Sequence, residues 1–76
     1  MTLFEKFAIE SGVAAYDSAT VALQDVAAIF NLLSANLPNL SLSDRVDLQN
    51  EASNRLKISE DMKVSASKLR DLVQGK

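Results

Sequence analysis

The sequence predicts an all-α fold, an antiparallel two-helix hairpin that assembles into a helical bundle. Three observations carry this. Apolar positions recur at helical spacing along two long stretches. Each stretch opens on a helix-capping signal, Thr2-Leu3-Phe4-Glu5 before the first and Ser41-x-x-Asp44 or Ser43-Asp44 before the second. Between them, Asn36-Leu37-Pro38-Asn39 holds the single proline of the chain, in a segment of turn-forming composition. The expected boundaries are a helix over 3–36, a turn over 37–42 and a helix over 43–74, all in one domain.

In the first helix the Thr2 hydroxyl is placed to accept from an amide of the first turn, with Glu5 reaching back and also facing the positive end of the helix dipole. Ser11-Gly12 is its weak point, because glycine costs about 1 kcal/mol against alanine in a helix interior and a neighbouring serine favours a kink. A kink or break near Gly12 is therefore one outcome, and a continuous helix with close packing at Gly12 is the other. Pro38 restricts Leu37 to extended backbone and ends the helix near Ala35-Asn36. Leu37, Leu40 and Leu42 are expected to plug the open end of the hairpin.

Taken in sevens, the first helix divides into rows. Glu10, Asp17, Gln24 and Asn31 mark the wet line, with Ser11, Ser18 and Asp25 on one flank and Thr20 and Ser34 on the other. Four rows are dry. Ile9, Tyr16, Leu23 and Phe30 form a row of large side chains, and Ala8, Ala15, Ala22 and Ile29 a mostly small one. Gly12, Ala19, Val26 and Leu33 form the third, and Phe7, Ala14, Val21, Ala28 and Ala35 the fourth. Four dry rows exceed the two that one helical partner covers. Interface positions are accordingly assigned to Ala8, Ile9, Ala15, Tyr16, Ala19, Ala22, Leu23, Val26, Ile29, Phe30 and Leu33.

The second helix is an ordinary amphipathic one. Its inner positions alternate by three and four: Leu48, Ala52, Arg55 or Leu56, Ser59, Met62, Ala66, Leu69 and Val73. Acids (Asp44, Asp47, Glu51) crowd its start and bases (Lys68, Arg70, Lys76) its end, matching the dipole. Glu51–Arg55 and Glu60–Lys63 are expected as surface pairs. Such a helix covers one face of the first and no more.

Composition narrows the function. The chain has 76 residues, no Cys and no His. Chains this short usually need disulfides, a metal or oligomerisation to complete a core, and here oligomerisation is the route left. Without Cys or His there is no thiol or imidazole to act as nucleophile, base or metal ligand, and the carboxylates Glu10, Asp17 and Asp25 lie too far apart to share a proton. No catalytic, cofactor or metal site is expected, and an enzyme is not. Residues 1–41 carry a net −3 and residues 42–76 a net +1, so neither half has the basic excess of a nucleic-acid footprint. Val13–Leu37 is long enough to span a bilayer, but Asp25 at its middle costs about 2.5–3.5 kcal/mol on insertion scales, so membrane partners are not expected. Glu5 and Glu10 flank Lys6, which does not fit the basic start of a cleavable signal, and the cytoplasm is the default location.

In layout alone, with the Asn36–Asn39 bend and a charged amphipathic C-terminal helix, the chain resembles subunits of type III secretion needles, some helical-hairpin co-chaperones and phage assembly factors. The reading is a non-enzymatic assembly protein that self-associates through its first helix, as a dimeric four-helix bundle or a higher assembly. The alternatives are a small adaptor or co-chaperone that binds a different protein on the same face, or a filament-type subunit of the needle kind.

Overall fold

A computed structural model describes residues 1–75. It shows α1, Leu3–Asn36, and α2, Leu42–Gln74, packed side by side as a helical hairpin. The hairpin is a rod of 57 × 16 × 11 Å. Its Cα radius of gyration is 17.2 Å, against the about 11 Å of a globular chain of this length.

Local chemistry fixes the ends. Thr2 caps α1 with both halves of the capping box in place, the Glu5 amide donating to Thr2 Oγ1 at 3.1 Å and the Thr2 amide to Glu5 Oε1 at 3.2 Å. Replacing Thr2 by Ala removes the Oγ1 acceptor of the Glu5 amide, leaves the residue-2 amide in place, and should cost about 1 kcal/mol, read as a fall in thermal midpoint on the order of 5 °C. Of the two caps open for α2, Ser41 is the one used, accepting from the Asp44 amide at 3.1 Å, so the helix starts at Leu42. Gly75 closes α2 in the left-handed conformation (φ 74°), which glycine adopts without steric cost. Lys76, one of the three bases expected there, lies outside the described residues.

The expected weak point does not break α1, which runs unbroken through Gly12. A Cβ built at Gly12 would stand 3.2 Å from Leu69 Cδ1, so glycine here answers a close approach of α2. The C-terminus of α1 has no base of its own in its last turn. Arg45 of α2 supplies one across the bend, its guanidinium donating to the carbonyls of Ser34 and of Leu37, the latter at 3.1 Å. A cation on these unpaired carbonyls favours the negative end of the helix dipole and ties the two helices at the turn.

The seam between the helices follows a spacing of four and three on both sides. From α1 it takes the large row Ile9, Tyr16, Leu23 and Phe30, half-buried, together with Val13, Thr20, Ala27 and Ser34, of which the last three are buried. From α2 it takes Leu48, Arg55, Met62 and Leu69, half-buried, with Ala52, Ser59 and Ala66 buried. Each helix thus offers one large and one small row, and the small rows bring the backbones close. This corrects the placement of Thr20 and Ser34 on the wet flank. Each satisfies its hydroxyl within its own helix, Thr20 Oγ1 donating to the Tyr16 carbonyl and Ser34 Oγ to that of Asn31, both at 2.9 Å, and so is buried as a small side chain. Ser59 does the same toward Leu56 at 2.7 Å. The expected plug at the bend also fails: Leu40 is half-buried, while Leu37 is exposed and Leu42 is 77% exposed. Arg45, not the leucines, closes that end.

Candidate association surface

Seven rows run along α1, spaced by about 51° at 3.5 residues per turn. The side of the seam occupied by Glu10, Asp17, Gln24 and Asn31 is wet. There Arg70 Nη2 donates to Asp17 Oδ2 at 2.5 Å, joining α2 to the wet line of α1. Both side chains are about half exposed, so the pair adds little stability. The surface pairs Glu51–Arg55 and Glu60–Lys63 also form, each at 3.0 Å.

The opposite side of the seam is dry. Its rows on α1 are Gly12, Ala19, Val26 and Leu33, then Ala8, Ala15, Ala22 and Ile29. Together they make a second stripe at the same four-three spacing, eight positions long and without a polar residue. Its centre lies about 100° around the helix from the α2 seam, two rows of seven away. A helix at the corner of a four-helix bundle meets its two neighbours at close to this angle. Along this stripe Val26, Ile29 and Leu33 are 37%, 55% and 38% exposed, and Ala8, Ala15 and Ala22 are exposed as well.

The assigned interface positions therefore fall into two sets. Ile9, Tyr16, Leu23 and Phe30 serve the hairpin's own seam. Ala8, Ala15, Ala22, Val26, Ile29 and Leu33 stand open, with Ala19 half-buried between the sets. Phe7 and Val21, of the fourth dry row, are also exposed on the outer face, as are Leu3 and Phe4 at the free end of the rod.

The remaining surface offers little chemistry. Its depressions are shallow grooves, one lined by Leu3, Phe4, Lys6, Phe7 and Glu10 and another by Glu10, Val13, Arg70, Val73 and Gln74. No group of three or more acidic, Cys or His side chains converges among the described residues. Every buried side-chain nitrogen and oxygen among them has a hydrogen-bond partner. By length and composition α1 would reach across a bilayer. No family model matches the chain, and no curated protein or solved structure matches it either.

Proposed function

We propose that this protein is a non-enzymatic assembly unit, a hairpin that self-associates through the dry side of α1 to form a closed dimer. The observation that carries this reading is surplus surface. The chain exposes 5396 Å², whereas a folded monomer of 8.2 kDa is expected to expose about 4,500 Å². The excess of about 900 Å² matches the about 800 Å² that each partner buries in an ordinary specific interface. The hairpin's own core is correspondingly thin. Among the described residues the buried ones are three alanines, two serines and a threonine, and every larger apolar side chain there retains contact with water.

Closure is favoured over a filament because most soluble homo-oligomers close on a symmetry axis. Asp25 and Gln24 at the middle of α1 oppose burial of the same helix in lipid. Light scattering coupled to size exclusion tests the reading. A mass near twice 8.2 kDa is expected at low micromolar concentration, independent of detergent. A folded monomer at that concentration overturns it, as does partition of the chain into detergent or lipid. A mass rising with concentration without limit identifies the filament-type alternative instead.

A further inference from the structure

The second stripe of α1 is graded in size, and the gradient specifies how two copies meet. From the N-terminal end it reads Ala8, Gly12, Ala15, Ala19, Ala22, then Val26, Ile29, Leu33. We infer that the occupant is a second copy of this chain, with α1 packed antiparallel on α1 about a twofold axis midway between Ala19 and Ala22. This rests on the self-association proposed above and adds its orientation and register.

In that register each small residue of the outer layers faces a larger one, and the central alanines face each other. Ala8 lies level with Leu33 of the second copy, Gly12 with Ile29, Ala15 with Val26, and Ala19 with Ala22. The outer layers then have similar combined volumes, and the helices approach most closely at the two central Ala19–Ala22 layers, so no layer sets two large or two empty positions together at the ends of the stripe. A parallel pair would set Ala8 on Ala8 and Leu33 on Leu33, leaving a gap at one end and a clash at the other.

The rows bordering the stripe favour the same choice. One border is the outer row with Ser11, Ser18 and Asp25; the other is the large row Ile9, Tyr16, Leu23 and Phe30. Antiparallel helices lay each border against its own kind, so Ser18 comes within about 3 Å along the axis of Asp25 of the second copy and large apolar side chains face one another. Parallel helices lay unlike borders together and press Asp25 against apolar side chains, which desolvates it without a partner. The matching dry side of α2 carries Glu51, Ile58, Ser65 and Leu72, beyond which lie Asp47, Asn54, Asp61 and Lys68. It is too polar to serve as the partner of the stripe, so α1 meets α1.

The chain has no cysteine, so single cysteines report the geometry directly. Ala15→Cys and Val26→Cys proteins are prepared, and each is oxidised alone and after mixing through a denatured state. A short bismaleimide repeats the test without the angular demands of a disulfide. In the antiparallel register residue 15 is adjacent to residue 26 of the second copy but about 16 Å along the axis from its own counterpart, beyond disulfide reach. The mixture should yield on the order of tenfold more cross-linked dimer than either variant alone. Efficient cross-linking of each variant by itself establishes parallel helices and overturns this register while leaving self-association intact. A dimeric mass without cross-links in any sample moves the interface elsewhere and also overturns it. A monomeric mass for the unsubstituted chain removes this inference and the proposed function together.

Discussion

Replacing Ala22 by Asp should abolish association while leaving the hairpin folded. Ala22 is exposed on the isolated hairpin, away from the α2 seam, so within one chain the change costs only the propensity difference between Ala and Asp, about 0.7 kcal/mol or less. At the twofold contact the new carboxylate would be pressed onto Ala19 of the second copy with no cation at hand, and an uncompensated buried charge costs about 3–5 kcal/mol. A dissociation constant weakened by at least about 100-fold, equivalent to about 2.7 kcal/mol, is the expected result by sedimentation or light scattering. Val21→Asp is the control. Val21 is 56% exposed and belongs to the fourth dry row, which the Ser11–Ser18–Asp25 row separates from the stripe. If Val21→Asp dissociates the protein and Ala22→Asp does not, the outer face is the interface and the stripe is not.

Much of this arrangement is legible in the residues themselves, for reasons that can be named. Capping depends on side-chain oxygens a fixed three residues from their amides, so Thr2-Glu5 and Ser41-Asp44 are readable locally. The inner face of α2 is legible because its outside is charged, leaving a narrow alternative. The seam of α1 is harder to read, because the helix has more dry rows than its partner can use. Hydrophobicity alone ranks Ala8–Ala15–Ala22 above Val13–Thr20–Ala27–Ser34, yet α2 lies on the second row. Two contacts between pairs distant in sequence accompany this placement: Arg70 reaches Asp17 on the wet side, and Arg45 reaches the carbonyls at the end of α1. Thr20 and Ser34 look wet by residue type but behave as small spacers, since their hydroxyls are already satisfied by the preceding turn. The dry stripe that remains follows from that choice and becomes visible only once α2 is placed.

The largest effect within a single chain is expected at Ala66. It is fully buried, at 0% exposure, in the small row of α2 that sets the distance between the helices. Its neighbours along that row, Ala52 and Ser59, are each 1% exposed. A leucine at 66 adds three carbons at a position with no exposure, in a row whose fully buried side chains are no larger than serine. The helices must part locally, and the half-buried contacts of Met62 and Leu69 loosen with them. Overpacking of this kind costs about 1–3 kcal/mol, and the upper end is expected where backbones lie this close. For a chain of this size that lowers the thermal midpoint by on the order of 10–20 °C, followed by circular dichroism. Ser59→Ala separates volume from polarity at the same row. The Ser59 hydroxyl donates only to the Leu56 carbonyl of its own helix, a group that also accepts in the helical ladder, so its loss leaves nothing buried without a partner. A change within about 0.5 kcal/mol is expected. Should Ser59→Ala prove as damaging as Ala66→Leu, the hydroxyls would be contributing across the seam, and close approach of small side chains would no longer account for how the two helices hold together.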